Sequence, residues 1–122
     1  MAISNSTDRF NGYVASLAFK APCVAVAIAN ITLSGEQTVN TVPVVSGDRV
    51  LVTAQTDPIE NGIYVASTSA WERAPDFDGN RDVVKGTMVA VEKAAGQADI
   101  YEVNSANPIT IGTTSISFLL RA

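Results

Sequence analysis

Short runs of β-branched and apolar residues, divided by turn-forming residues, constrain this chain more than any other feature. From Pro22 onward the runs hold about five residues each and turns recur roughly every 8–12 residues, which is typical of a small sandwich or barrel. Residues 63–66 and 70–74 flank a tight connection and predict a hairpin. Three further strands are predicted at residues 87–91, 100–103 and 115–119. The pattern predicts an all-β fold, a small antiparallel sandwich or barrel.

Two β-rich segments precede this region. The first covers residues 23–28, and the second is an apolar run at residues 39–45 that contains Pro43. Because proline has no N–H to give to a sheet ladder, it is confined to edges, and the second run predicts an edge strand. With these segments the β-rich module covers residues 22–122.

Residues 1–21 differ from the module and predict a short N-terminal arm, helical or extended. Helical spacing is carried by Phe10, Tyr13, Val14 and Leu17. Pro22 ends the helix. A helix of about three turns is marginal in isolation and needs a surface to pack on. Two interpretations stay open: the arm packs on its own module, or it docks on a neighbouring subunit through these four side chains.

The chain is apolar and weakly charged. Apolar residues make up 47% and charged residues 16%, whereas an average domain has about 25% charged residues. So few charges keep neighbouring molecules apart that we expect other subunits to cover part of the surface. The net charge of −4 and the lack of a basic cluster exclude nucleic acid as a partner. The uncharged stretch at residues 21–35 is too short to cross a membrane as a helix, so no membrane partner is expected.

Sequence templates for catalysis fail one after another. The chain has no histidine, which removes the usual general base and the usual metal ligand. It has neither a nucleophile elbow nor a phosphate-binding loop. The single Cys23 excludes an internal disulfide and a thiolate zinc site, and its apolar neighbours predict a small core residue. We therefore predict no catalytic residue and no cofactor, which means that the protein is not an enzyme.

The acidic run at residues 76–82 is the one place with metal-ligand spacing. Oxygen-bearing side chains alternate there, at Asp76, Asp78, Asn80 and Asp82. The spacing resembles a calcium loop, but a glycine stands at the fourth position instead of the sixth, and Thr87 takes the place of the bidentate glutamate. The favoured interpretation is a rigid turn in which these side chains bind local backbone amides, with calcium as the alternative.

Aromatic residues offer a possible ligand platform, formed by Tyr64, Trp71 and Phe77. Sugar rings stack on exposed aromatic faces, so such a platform indicates carbohydrate binding. A single tryptophan in a hairpin strand is equally suited to the centre of a small core. The favoured interpretation is that Trp71 is buried.

A set of motifs between residues 29 and 118 resembles a β-rich module that recurs in virion proteins of tailed bacteriophages. The motifs are ANITLSG (29–35), GDRVLV (47–52), QTD (55–57), ENGIYV (60–65), WERA (71–74), DFDG (76–79), DVVKG (82–86) and the segment 108–118. The combination of GDR, NGIY and WxRA is specific, and the match covers about three-quarters of the chain. The resemblance brings no catalytic residue with it.

The resemblance implies a structural protein of a phage particle, localised in the virion. A module with only a short arm suits a capsid decoration protein or a tail-associated subunit. The implied partners are other capsid or tail proteins and further copies of the chain, as a homotrimer with closed symmetry. The alternative is a host-receptor or carbohydrate-binding module of a phage tail, and an enzyme acting on cell-surface polysaccharide is the least favoured interpretation.

Overall fold

The computed structural model describes residues 19–79, 82–94 and 97–121. This part of the chain contains ten β-strands and two short 3-10 helices. The strands are β1 (Phe19–Cys23), β2 (Ala25–Ala27), β3 (Gln37–Val39), β4 (Val42–Val44), β5 (Arg49–Val52), β6 (Gly62–Val65), β7 (Glu72–Arg73), β8 (Met88–Ala94), β9 (Gln97–Val103) and β10 (Phe118–Leu120). The 3-10 helices are Pro58–Glu60 and Pro75–Phe77. The all-β prediction is confirmed, whereas the predicted arm up to residue 18 lies outside the described residues.

The strands form two four-stranded sheets and one separate hairpin. Sheet A has the order β1-β8-β9-β10, sheet B has the order β2-β5-β6-β7, and β3 pairs only with β4. Neither large sheet closes on itself, so the architecture is a sandwich and not a barrel. The sheets are mixed, because β1 runs parallel to β8 and β2 runs parallel to β5.

One segment joins the two sheets. β1 belongs to sheet A and β2 to sheet B, with only Val24 between them. The pairing of β1 with β8 shifts register between Lys20 and Cys23, and the Val24 amide then donates to the carbonyl oxygen of Arg49 in sheet B (2.9 Å). An irregularity of this kind bends a strand and lets it change sheets.

Sheet B is buried on both faces, which makes the molecule three layers thick. Its inner face packs against sheet A around Leu51, Ile63 and Phe77. Its other face packs under the β3–β4 hairpin around Val50, Val52 and Trp71. A strand covered on both sides needs apolar residues at successive positions, and this explains the continuous run Val50, Leu51 and Val52, all fully buried.

The predicted single edge strand at residues 39–45 is wrong, because the chain reverses inside it. Val39 pairs with Val42, and Asn40 and Thr41 form the two-residue turn with φ of 47° and 72°. Positive φ at both central positions defines a type I′ turn, which suits the twist of a hairpin. Pro43 lies opposite Thr38 in this two-stranded sheet, where both strands are edges.

The other predicted strands are present with shifted ends. The hairpin predicted at 63–66 and 70–74 is β6 paired with a shorter β7. The strands predicted at 87–91 and 100–103 overlap the longer β8 and β9, and the one predicted at 115–119 begins later, as β10. Among the residues that the structure describes, no helix is long and apolar enough to cross a membrane.

Candidate functional site

The NGIY and WERA motifs meet around the guanidinium of Arg73. This group donates to the carbonyl oxygens of Ile59 (2.7 Å) and Asn61 (2.9 Å). It also lies over the ring of Tyr64, 5.2 Å from the centroid, in a cation–π arrangement. Gly62 is required beneath it, because a Cβ at that position would lie 2.6 Å from Arg73 Nη1 and 3.0 Å from the Phe77 ring. Arg73 therefore fixes the loop before β6 to β7.

Two buried amide side chains connect the loops at the same end of sheet B. Asn61 Oδ1 accepts from the Gln55 amide (2.9 Å), and Asn61 Nδ2 donates to the carbonyl oxygen of Ile116 (2.8 Å). The Gln55 side chain in turn accepts from the Ile31 amide (2.9 Å) and donates to the Ile31 carbonyl oxygen (3.0 Å). Buried polar groups that satisfy one another hold a unique backbone arrangement. These motif residues are engaged in internal bonds and do not line an open site.

The three aromatic residues do not form a surface platform, so that prediction is wrong. Tyr64 and Trp71 are each only 6% exposed, in the core beneath the hairpin, and Phe77 is fully buried in the other core. Tyr64 donates to the carbonyl oxygen of Glu60 (2.6 Å), and Trp71 Nε1 donates to that of Gly35 (2.9 Å). The favoured interpretation of Trp71 as a core residue is confirmed.

Two of the four calcium candidates are held by groups of the protein itself. The Asp76 carboxylate binds both terminal nitrogens of Arg49 (3.0 and 3.1 Å), a bidentate ion pair. Asp82 Oδ2 accepts from the backbone amides of Gly79 (3.0 Å) and Asp78 (3.2 Å), so this side chain binds local backbone amides, as the favoured interpretation predicts. Asn80 lies outside the described residues. The described part of the chain contains no group of three or more carboxylate or thiol side chains that could hold a metal ion.

Burial shifts the pKa of two groups near this ion pair. Desolvation raises the pKa of the Cys23 thiol to about 12, so the thiol stays protonated and unreactive at neutral pH. Lys20 is only 3% exposed, and desolvation lowers the pKa of its ammonium, opposed by the charges of Asp76 and Asp82. Burial of Cys23 confirms the prediction of a small core residue.

A small cavity lies where the hairpin meets the two sheets. Its volume is about 220 Å³. The polar part of its lining consists of Asn40, Thr41, Glu92 and Asp99, and the apolar part of Ala25, Val26, Val42 and Val91. Hydroxyl, amide and carboxylate groups of this kind can bind hydroxyl groups or a small cation.

The outward side of sheet A carries a row of mostly apolar side chains. The side chains of Val89, Tyr101 and Val103 point into the core, so their neighbours along each strand point outward. The register places one outward row across all four strands, consisting of Phe19, Met88, Glu102 and Leu119. Ala90 and Ile100 form the next pair. We call these six residues the outer face.

The outer face is apolar where a solvated sheet would be polar. Sandwich sheets ordinarily alternate apolar residues inside with polar residues outside. Here Phe19 is 49% exposed and Leu119 is 41% exposed, at opposite edges of the row. The charge on the face is neutralised locally, because Glu102 forms an ion pair with Arg121 (3.0 Å). Met88, Ala90 and Ile100, between these edges, are partly exposed, so five of the six residues of the outer face are apolar and the exception is Glu102. Exposed apolar surface of this kind suits contact with another protein element.

The strand predictions do not indicate this surface, although the sequence carries a signal for it. Residues 88–91 read Met-Val-Ala-Val, a continuous apolar run without alternation. Such runs are typical of strands that are covered on both faces. The predicted docking side chains Phe10, Tyr13, Val14 and Leu17 lie outside the described residues, so their role stays a prediction.

Comparison with known proteins adds no relative to this picture. No protein-family model, curated protein or solved structure matches the chain. The tailed-phage resemblance therefore stays a prediction that depends on the motifs themselves.

Proposed function

We propose that this protein is a structural subunit of a tailed-bacteriophage particle, a capsid decoration or tail-associated protein that works by binding other subunits and not by catalysis. The observation that carries the proposal is the apolar outer face of sheet A. Leaving its side chains in water is unfavourable by about 25 cal/mol for each Å² of apolar surface, so covering the face stabilises an assembly. In the proposed assembly the chain forms a homotrimer that also contacts capsid or tail proteins.

The internal bonds of the motif residues support this proposal. Arg73, Asn61 and Gln55 tie loops to the sandwich, and Arg49 holds the Pro75–Phe77 helix through Asp76. A subunit that transmits contacts in a particle needs a rigid body, and buried polar networks supply rigidity. The motifs of the resemblance would then be shared because they build the same scaffold.

The test is to locate the chain on particles of the phage or prophage whose genome encodes it. Gold-labelled antibody against the purified chain is applied to density-purified particles and viewed by electron microscopy. Label at regular positions on the capsid or tail is the expected result. If the protein is abundant in the lysate but absent from purified particles, the proposal fails.

The small cavity favours a second function, a host-receptor or carbohydrate-binding module. Asn40, Thr41, Glu92 and Asp99 offer the hydrogen-bonding groups that sugar hydroxyls require. Purified protein would then bind members of a glycan array, and Asn40→Ala would remove that binding. Ser67→Ala is the control and should leave binding unchanged, because Ser67 does not line this cavity. A blank array excludes this function.

A further inference from the structure

We infer that the outer face of sheet A is the seat of the N-terminal segment, residues 7–18, of a second copy of this chain. The inference rests on the proposed function in one respect, since it supplies the contact through which copies assemble. It goes further by naming both sides of that contact. The receiving side is the outer face, and the donated side carries Phe10, Tyr13, Val14 and Leu17.

The dimensions of the two sides agree. Four strands span three inter-strand spacings of about 4.8 Å, so the row from Phe19 to Leu119 is roughly 14 Å wide. Twelve residues in a helix are about 18 Å long at 1.5 Å per residue. The predicted apolar stripe of the segment can therefore cover the apolar row from one edge to the other.

The position of Phe19 shows why the segment belongs near this face at all. Phe19 is the first residue of β1, at the edge of sheet A, and its own side chain starts the apolar row. The 18 preceding residues are therefore attached at the border of the face. No other exposed apolar residue of the described chain has such a segment joined to it.

The sequence before Phe19 favours exchange between copies over packing within one copy. A segment that folds back on its own sheet needs a turn next to Phe19. Residues 13–18 read Tyr-Val-Ala-Ser-Leu-Ala, in which Ser16 is the one turn-forming residue and a weaker one than glycine, proline, asparagine or aspartate, and the nearest turn pair is Asn11-Gly12. With no strong turn signal next to Phe19, we expect Tyr13, Val14 and Leu17 to reach a neighbouring copy and not the sheet to which they are attached.

Exchange of this kind produces closed assemblies. Each copy gives one segment and receives one, and among three copies this is a head-to-tail contact. A head-to-tail contact ends in a ring when the rotation closes, and the trimer implied by the resemblance is such a ring. Assembly of this kind would remove the apolar row from solvent in every copy of a chain that has only 16% charged residues.

The test uses directed thiol exchange between two different full-length variants. Ala90→Cys on the outer face is converted to its mixed disulfide with thionitrobenzoate, and is then mixed with reduced Val14→Cys or Leu17→Cys. The arm thiolate attacks the mixed disulfide, the new S–S bond forms between chains, and thionitrobenzoate leaves with the electron pair as a coloured product. The native Cys23 stays silent, because its thiol is buried and its pKa is about 12.

The control places the activated disulfide at a site elsewhere that is more exposed than Ala90, so that accessibility alone would favour the control. Ile28→Cys serves, since Ile28 is 62% exposed and follows β2 of sheet B. Contact between arm and face raises the local thiol concentration to the millimolar range, so at micromolar protein we expect coupling to Ala90→Cys to exceed coupling to Ile28→Cys by about tenfold or more. The product is a covalent pair of twice 12.8 kDa that reductant separates.

Three outcomes decide the matter. Equal rates at the two sites for both arm variants overturn the inference. The second outcome uses a double variant that carries Leu17→Cys and Ala90→Cys in one chain. If this variant closes an internal disulfide while the mixed variants stay separate, the arm packs within one copy, and the inference is also overturned. Faster coupling at Ala90→Cys than at Ile28→Cys supports the inference. Light scattering should agree, with Leu119→Glu lowering the measured mass and Ile28→Glu leaving the mass unchanged.

Failure here is separable from failure of the proposed function. Thiol exchange is measured on the purified chain, whereas labelling is measured on particles. Label on particles without selective exchange refutes only the exchanged segment. Selective exchange without label on particles refutes the virion assignment and leaves the segment contact standing.

Discussion

Replacing Arg73 by methionine should destabilise the sandwich far more than the partial exposure of this side chain suggests. Arg73→Met keeps most of the length and volume of the stem but removes the guanidinium. The two carbonyl oxygens that it serves, on Ile59 and Asn61, lose their charged donor. The Tyr64 ring loses the cation above it.

The magnitude follows from these three contacts. A hydrogen bond from a charged donor contributes about 1.5–3 kcal/mol net, and a cation–π contact about 0.5–1 kcal/mol at a site open to solvent. Because Arg73 is partly exposed, the lower end of each range applies, and the free energy of unfolding should fall by about 3 kcal/mol. For a domain of this size the total is of the order of 6–18 kcal/mol, so the loss is a large fraction of it.

Urea unfolding monitored by the fluorescence of Trp71 measures the change. Trp71 is the only tryptophan and is buried, so its emission reports loss of the core beneath the hairpin. Arg121→Met is the matched control, because Arg121 forms a single ion pair with Glu102 and its side chain is 56% exposed. An exposed ion pair of this kind contributes about 0–1 kcal/mol.

Equal midpoints for the Arg73→Met and Arg121→Met variants would refute the reasoning, since the guanidinium of Arg73 would then contribute no more than a surface charge. An intermediate check is Arg73→Lys. A lysine ammonium keeps the charge but lacks the planar fork that reaches two carbonyl oxygens. It should therefore recover less than half of the loss.

Three further substitutions should change the stability of the fold, each for a reason that the structure shows. Gly62→Ala should lower the free energy of unfolding by about 2 kcal/mol or more in urea titrations, because the new Cβ meets Arg73 and the Phe77 ring; an unchanged midpoint would contradict this. Thr41→Gly should raise the free energy of unfolding by about 1 kcal/mol, because a β-branched residue at φ 72° is strained and Asn-Gly suits a type I′ turn. Calorimetry that shows no rise in Tm would disprove the strain. Burial raises the pKa of Cys23 from 9.0 to about 12. Between these pH values the folded chain keeps a thiol proton that the unfolded chain releases. The stability that this group contributes below pH 9 is therefore lost as the pH rises toward 12. Unfolding of Cys23→Ala should show a flatter decline over that range, and parallel curves for variant and parent would refute the assignment.

Local patterns predict the strands well because their causes are local. The β6–β7 hairpin follows from apolar runs on either side of a serine-rich connection, and the burial of Trp71 follows from its size. The prediction of one strand at residues 39–45 fails for a physical reason. A turn at Asn40 and Thr41 needs positive φ at both residues, and threonine gives no sequence signal for that conformation.

Layer order and sheet membership are long-range properties and escaped prediction. The division of one apolar segment into β1 and β2 depends on a register shift after Lys20 and on the Val24 bond to Arg49. The partner of Arg49, Asp76, lies 27 residues away. Neither contact leaves a periodic trace in the sequence. The outer face of sheet A does have a local signal, the unbroken apolar run at residues 88–91. Such a run predicts a strand that is covered on both sides.

The motifs that carry the resemblance and the outer face proposed for assembly occupy different parts of the molecule. Asn61 and Arg73 bind backbone groups of their own chain, and Trp71 is closed under the hairpin. Substitutions at these positions would act on stability, so the same motifs suit any protein that uses this scaffold. The outer face contributes nothing to those bonds, and its apolar side chains stabilise the isolated sandwich little. We therefore propose that assembly covers this row, and that the segment joined to Phe19 is the element that covers it in a second copy.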